Sequence, residues 1–175
     1  MVTDPETVAL ADAEDRTRGE LRAVLDTNVP IAAHLSRNPR SPTIELLERW
    51  RRGQFTQLYS DDMLVELVEK FRARKIASEA SDRYLADLIM LGEFVFVAPE
   101  QVPNAIGADP DDNAILACAF VGRASHIITY DPHFDVLDGD YQGISVLDGL
   151  HFLYIVRGDR PPEHSGAETV RPPIS

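Results

Sequence analysis

The chain has little cysteine and no long hydrophobic run. Its single cysteine, Cys118, excludes an intrachain disulfide, as is typical of proteins in a reducing compartment. No apolar stretch approaches 18 residues, so we expect no transmembrane helix. No amino-terminal stretch pairs positive charge with an apolar core, so no secretory signal is expected either. These absences predict a cytoplasmic protein without a membrane partner.

Basic residues are also scarce. The chain has 17 lysines and arginines against 29 aspartates and glutamates, which gives a formal net charge of -12. Nucleic-acid-binding proteins usually present a basic surface, so the net charge argues against a polyanionic partner. A bound cation would nevertheless reverse the sign of an acidic site locally. The charge therefore lowers the expectation of a nucleic-acid partner but does not exclude it.

The composition predicts one folded domain with loose ends. Residues 1–19 are acidic and poor in large apolar side chains, which predicts a flexible arm. Residues 158–175 hold four prolines and little apolar content, which predicts a disordered tail. The hydrophobic content of 44% is close to that of globular proteins, so we expect a compact domain at residues 20–157.

Short apolar runs alternate with helix-like segments within this domain. The five runs that predict strands are 21–25, 55–59, 94–98, 126–129 and 144–147. Stretches of helical period separate them, which implies parallel strands joined by right-handed crossovers. The expected class is therefore α/β, with a central, mainly parallel sheet of about five strands.

Four acidic residues lie where a predicted strand ends or a predicted helix begins. Asp26 and Asp131 follow the first and fourth apolar runs, Asp112 opens an apolar helix, and Glu66 lies one turn into another. In an open parallel sheet the carboxyl ends of the strands share one edge, where ligands bind. Carboxylates gathered there repel one another unless a cation lies among them, and Mg²⁺ takes oxygen ligands of this kind. The pattern points to a metal-dependent enzyme.

Each of these acids also has a simpler structural explanation. The tripeptide 26–28 reads Asp-Thr-Asn, which is an ordinary turn and capping sequence. One of Asp109, Asp111 and Asp112 must cap the following helix, although capping explains only one of the three. His133 could contact a phosphate, but a histidine in a surface loop is the simpler interpretation.

Taken together, four stretches resemble the PIN-domain nucleases, in particular the toxins of prokaryotic type II toxin–antitoxin pairs. The stretches are 25–29 (LDTNV), 60–67 (SDDMLVEL), 109–116 (DPDDNAIL) and 127–131 (IITYD). The resemblance covers residues 21–154 and implies a three-layer α/β/α sandwich. It also implies a single-stranded RNA substrate and dependence on Mg²⁺ or Mn²⁺.

The resemblance assigns roles to individual residues. The family's four acidic positions, which would bind metal and carry catalysis, fall on Asp26, Glu66, Asp112 and Asp131. Its small polar helpers fall on Asn28 and Thr129. Tyr130 departs from the family, because many members have a small residue there. A tyrosine at this position could narrow the site or stack on a base.

The expected function is metal-dependent hydrolysis of phosphodiester bonds by an endoribonuclease toxin. An antitoxin and a homodimer are the protein partners that the resemblance implies, and an apolar stripe with Leu85, Leu88 and Ile89 suits either a dimer interface or the core. The candidate substrate-binding residues are Arg37, Arg40, Arg72 and Arg74. The alternative is a non-catalytic module of the same fold that binds RNA or protein. Four mutually repelling acids disfavour that alternative.

Overall fold

The computed structural model describes residues 21–159. The expected arm at residues 1–19 lies outside the described residues. So does the expected tail at 158–175, apart from Gly158 and Asp159, whose backbone N–H groups close the last helix. Within residues 21–159, no helix combines the length and apolar character that crossing a membrane requires.

In the described part of the chain, six strands form one sheet. They are β1 (Arg22–Leu25), β2 (Thr56–Tyr59), β3 (Glu93–Phe94), β4 (His126–Ile128), β5 (Asp140–Tyr141) and β6 (Ile144–Leu147). Their order is β3-β2-β1-β4-β6-β5, and every neighbouring pair is parallel except β5 with β6. The α/β class and the mainly parallel sheet are therefore confirmed.

The sixth strand comes from a hairpin. Gln142 and Gly143 have φ angles of 54° and 83°, and they join Tyr141 to its partner Ile144. Two successive residues with positive φ form the tight turn that matches the twist of paired strands. Because β5 is only two residues long, its apolar pattern was too short to predict a strand.

Within residues 21–159, six helices accompany the strands. They are α1 (Asn28–Leu35), α2 (Pro42–Arg51), α3 (Asp61–Ala73), α4 (Ser78–Leu91), α5 (Pro110–Val121) and α6 (Gly149–Arg157). The sequence did not predict α1, which is buried at Val29, Pro30, Ile31 and Ala33. A short helix buried on several sides has no polar face, so the helical period that reveals other helices is missing. Its Pro30 lies in the first turn, where a missing N–H costs nothing.

The sheet separates two hydrophobic clusters, which gives the three-layer α/β/α sandwich that the resemblance implied. Along β1, Val24 belongs to one cluster, whereas Ala23 and Leu25 belong to the other. A strand that alternates between two cores is buried on both faces, as parallel strands in α/β proteins are. Leu88, from the stripe proposed for a dimer interface, belongs to this core and is 2% exposed. Of the three stripe residues, only Ile89 has a largely exposed side chain.

Parallel pairing of β2, β1, β4 and β6 brings their carboxyl ends to one edge, here called the carboxyl edge. Asp26 follows β1, Ser60 follows β2 and Thr129 follows β4. Helices α1, α3 and α6 begin at this edge and run away from it. The fold therefore gathers residues that are distant in sequence at the start of these helices.

Candidate metal centre

Asp26 is the most buried acid at the carboxyl edge, with 2% of its surface exposed. Its backbone N–H donates to Ile128 O at 2.8 Å, which extends the pairing of β1 with β4 by one residue. Its carboxylate accepts a hydrogen bond from Thr129 Oγ1 at 2.7 Å. Burial raises the pKa of Asp26, and the charges of Glu66 and Asp131 raise it further, against the opposing effects of Thr129 and Lys70. An ionised Asp26 is therefore short of compensating positive charge.

Thr129 links Asp26 to Asp131. While its hydroxyl donates to Asp26, the same oxygen accepts the backbone N–H of Asp131 at 3.0 Å. Thr129 is itself only 7% exposed, so packing limits the freedom of its side chain. Thr129, a predicted helper, thus contacts two of the predicted acids.

Glu66 joins the site through Thr27. Thr27 occupies the N-cap position of α1, yet its hydroxyl makes no capping bond and donates to Glu66 Oε1 at 3.1 Å. Lys70 lies one turn after Glu66 on α3, and its Nζ is 2.6 Å from Glu66 Oε1. The same ammonium group donates to Thr27 Oγ1 at 2.8 Å and to Asn28 Oδ1 at 3.2 Å. Asn28, the other predicted helper, therefore contacts the ammonium group of Lys70 rather than one of the acids.

Asp112 is available because another residue caps its helix. Asp109 is the N-cap of α5 and accepts the Asp111 N–H at 3.0 Å. Asp112 is 6% exposed, and its Oδ2 lies 2.9 Å from His133 Nδ1. Burial is the main cause that raises the pKa of Asp112 to about 6, and the nearby charges of Asp131, Asp109 and Asp26 add to it. A hydrogen bond from His133 acts in the opposite direction.

His133 connects Asp112 to Asp131. Its Nδ1 lies 2.9 Å from Asp112 Oδ2 and 3.4 Å from Asp131 Oδ1, and its backbone N–H donates to Asp131 Oδ1 at 2.9 Å. The bond to Asp112 raises the pKa of the imidazole. Asp109, Asp112 and His133 each offer one ligand atom, and these atoms lie within 4.8 Å of one another. Asp109 and His133 are therefore close enough to share a bound cation with Asp112.

All four predicted acids belong to one continuous network of polar contacts. In order, the network runs Glu66, Thr27, Asp26, Thr129, Asp131, His133 and Asp112. Its acidic and imidazole side chains offer carboxylate oxygen and imidazole nitrogen atoms, and both atom types ligate divalent cations. The donor set therefore fits a divalent metal: Asp109, Asp112 and His133 have ligand atoms within 4.8 Å of one another, and the contacts described above join Asp26, Glu66 and Asp131 to this group.

Sequence reasoning missed two members of this arrangement. Lys70 was not among the predicted site residues, although a lysine four residues after a glutamate on a helix is placed to contact it. His133 was treated as a loop residue. Its position two residues after Asp131 was the available signal, since the short 3₁₀ helix Pro132–Leu137 turns the chain back toward the acids.

The predicted arginines are not part of the network. Arg37 and Arg40 are exposed beyond the end of α1, about 12 Å of helix away from the carboxyl edge. Arg40 lines a groove with Arg157, which lies in the last turn of α6 and hence far from the edge where α6 begins. Arg72 and Arg74 are exposed at the end of α3, beyond Lys70.

Comparisons with known proteins identify the family and support the fold. The family model described as the PIN domain matches residues 22–133, a span that contains all four predicted acids and His133. No curated protein matches the chain. Among solved structures, the chain is similar to VapBC2 from Rickettsia felis, in a crystal structure bound to a DNA fragment from their promoter. The two are 15% identical with a TM-score of 0.50, over 72% of this chain and 97% of that chain. That likeness supports the fold, and the family model covers well over half of the sequence: the chain belongs to the PIN domain family, whose members are generally nucleases.

Proposed function

We propose that the protein is an endoribonuclease that hydrolyses single-stranded RNA with the help of Mg²⁺ or Mn²⁺. The observation that carries this proposal is the network at the carboxyl edge, which holds four carboxylates together although two of them are largely buried. Burying uncompensated carboxylates lowers stability, so an arrangement of this kind is retained where a cation or a reaction uses it.

The four acids are the proposed metal ligands and catalytic residues. A divalent cation held by Asp26, Glu66, Asp112 and Asp131 would lower the pKa of a bound water and offset charge on the phosphate. Thr129 fixes the separation of Asp26 and Asp131, because one hydroxyl bonds both residues. Such fixing places the ligands before metal or substrate arrives, which removes part of the cost of ordering them.

Two cationic groups beside the acids suit an anionic substrate. The side chain of His133 is 43% exposed, so a protonated ring can reach a phosphate oxygen of bound RNA. Lys70 neutralises part of the charge on Glu66 and is itself 35% exposed. Both residues reduce the repulsion that an RNA backbone would meet at an acidic edge.

The exposed arginines remain proposed contacts for RNA outside the centre. Arg72 and Arg74 continue the positive charge of Lys70 along α3, so RNA that leaves the centre in this direction would contact them. Arg37 and Arg40 would contact only RNA that extends about a helix length away from the acids.

We further propose that the protein is the toxin of a toxin–antitoxin pair and acts in the cytoplasm. The likeness to VapBC2 supports this role, and so does the resemblance of the four acidic stretches to PIN toxins. The natural partner would then be a cognate antitoxin that blocks the RNA site, and a homodimer is the expected assembly. Growth arrest on expression of the wild-type protein, but not of Asp112→Asn, tests the toxin role.

Cleavage of labelled single-stranded RNA by the purified protein tests the nuclease assignment. We expect cutting with Mn²⁺ or Mg²⁺, none with EDTA, and a loss of at least 100-fold in Asp112→Asn. Asp111→Asn is the matched control, because Asp111 is the exposed neighbour of Asp112 on the same helical turn. If no metal supports cutting, and calorimetry detects no cation binding, the non-catalytic alternative replaces the nuclease.

A further inference from the structure

A cleft of about 640 Å³ opens at the carboxyl edge, between the ends of β4 and β6. Thr129 and Asp131 line it, so the cleft is continuous with the metal centre. Its far wall includes Leu147 and Asp148, at the end of β6 and the start of α6. Its volume lies within the range of small-molecule sites in proteins. A group bound in this cleft would lie directly beside a phosphodiester held by the acids.

Tyr130 supplies an aromatic wall. It lies between Thr129 and Asp131 in sequence, is 45% exposed, and lines the cleft. Its hydroxyl contacts the first residue of α6: a Cβ added to Gly149 would lie 2.3 Å from the tyrosine Oη. A side chain at position 149 would move the ring from this position. The tyrosine hydroxyl therefore lies against the backbone at the start of α6, and the ring offers a stacking surface beside the cleft.

The charges around the cleft decide what can enter it. Among the described residues that line it, four are aspartates and none is lysine, arginine or histidine. A phosphate group would be repelled there. A neutral ring that carries N–H donors would instead meet acceptors, since a carboxylate accepts hydrogen bonds from the amino groups of nucleobases.

Asp148 is the acceptor best placed for this task. It lies beside Tyr130, whose pKa its charge helps to raise after the larger effect of burial. As the N-cap of α6, it accepts the backbone N–H of His151 at 2.8 Å and contacts His151 Nδ1 at 2.7 Å. Among the described residues both of these contacts use Oδ1, so Oδ2 can accept a hydrogen bond from a ligand.

We infer that this cleft binds the nucleobase next to the scissile phosphate, stacked on Tyr130 and donating its exocyclic amino group to Asp148. This inference rests on the proposed function and extends it to base preference. Guanine, adenine and cytosine carry such an amino group, whereas uracil does not. The protein should therefore bind RNA better beside an amino-bearing base than beside uracil.

Binding measured without cleavage tests the inference. The protein carries Asp26→Asn, and fluorescence anisotropy in Mg²⁺ follows short labelled uridine oligomers with one central guanosine, inosine or uridine. Inosine differs from guanosine only in lacking the exocyclic amino group. We expect guanosine to bind about 10-fold more tightly than inosine or uridine, because a hydrogen bond to a charged acceptor is worth about that factor.

Variants assign the preference to the two residues. Asp148→Ser should remove the advantage of guanosine over inosine while keeping the helix cap, because serine is also a favourable N-cap residue. Tyr130→Ala should weaken binding of all three oligomers by at least 5-fold, and Tyr130→Phe should retain the stacking contribution. Val136→Ser is the matched control, since Val136 is 70% exposed on the neighbouring 3₁₀ helix and does not line the cleft.

The possible outcomes separate this inference from the nuclease assignment. Equal affinity for guanosine and inosine, or a preference that survives Asp148→Ser, would overturn the cleft as a base site. Metal-dependent cutting by the wild-type protein could still be present in that case. Conversely, guanosine-selective binding that depends on Asp148, combined with no cutting by the wild-type protein, would keep the cleft and reject the nuclease.

Discussion

The hydroxyl of Thr129 donates a 2.7 Å hydrogen bond to Asp26 Oδ2 across a sequence separation of 103 residues. The register of the sheet makes this contact possible. Leu25 of β1 pairs with Ile128 of β4 in the parallel register. The residues that follow them, Asp26 and Thr129, therefore lie side by side. Sheet pairing, rather than any loop, thus fixes the distance between the first and last acidic motifs.

Replacing Thr129 by valine tests the importance of this contact. Thr129→Val keeps the shape of the side chain but removes a donor to Asp26 and an acceptor for the Asp131 N–H. Leaving buried polar groups unpaired costs about 1–3 kcal/mol, so the free energy of unfolding in urea should fall by that amount. Calorimetry should also show weaker Mn²⁺ binding. Thr129→Ser retains the hydroxyl and is the control; equal Mn²⁺ affinity in the two variants would contradict the positioning role.

The raised pKa of Asp112 predicts how stability depends on pH without metal. The pKa is about 6 in the folded protein and 3.8 for an unperturbed aspartate, so folding takes up a proton between these values. The stabilising contribution of the protonated carboxyl is fully present below pH 4 and is lost as pH rises through about 6. The shift corresponds to roughly 3 kcal/mol.

Thermal unfolding in EDTA between pH 4 and pH 8 measures this effect. The melting temperature of the wild-type protein should fall across the window, and Asp112→Asn should show a shallower fall. Some slope should remain in the variant, because burial raises the pKa of Asp26 in the same direction. Parallel pH profiles for the two proteins would show that Asp112 titrates as an ordinary surface carboxylate.

The sequence predicted that Asp26 and Asp131 lie at strand ends, but it did not predict the side chains that contact the acids. Asp26 and Asp131 follow strong apolar runs, and the parallel arrangement alone brings strand ends together. The bonds made by Lys70 and His133 depend on how α3 and the 3₁₀ helix lie against β1 and β4. Such contacts follow from packing, which has no local sequence period. Helix α1 escaped prediction for the same reason, since burial on several sides removes its amphipathic pattern.

Metal binding should stabilise the protein only if Glu66 is intact. A ligand that binds the folded state alone adds about 2.7 kcal/mol when its concentration is 100 times the dissociation constant. Mn²⁺ should therefore raise the melting temperature of the wild-type protein by several degrees and that of Glu66→Gln by much less. Glu69→Gln removes the same charge from an exposed position on the same helix. An equal Mn²⁺ effect in both variants would remove Glu66 from the ligand set.

Glu45, which lies outside the candidate metal centre, predicts the opposite dependence of stability on pH. Arg157 at the end of α6 bonds Glu45 on α2, and this bond is the main cause that lowers the pKa of Glu45 to about 2, with a further contribution from Arg49. The stability that this pair contributes is fully present above about pH 4.5 and is lost as pH falls through about 2.

Glu45→Gln should therefore lower the free energy of unfolding by about 1 kcal/mol at pH 7. The value is well below the equivalent of the pKa shift, because both side chains are about 30% exposed and solvent screens their charges. The difference from the wild-type protein should shrink in urea titrations at pH 3 and below. The proposed RNA cleavage should stay unchanged, since Glu45 is not part of the network at the carboxyl edge.

The salt dependence of binding tests which direction the proposed RNA substrate takes away from the acids. If the RNA backbone follows α3, the double reversal Arg72→Glu with Arg74→Glu removes two phosphate contacts. Each contact with single-stranded RNA contributes about 0.7 to the slope of log affinity against log salt concentration, so the slope should decrease by about 1.4.

The charge-matched control reverses Arg52 and Arg123, which are exposed where α2 and α5 end, away from the carboxyl edge. Because both double variants change the net charge equally, a general electrostatic effect would lower both slopes alike. A decrease confined to the first variant would place the RNA along α3, and equal slopes would direct it elsewhere on the surface.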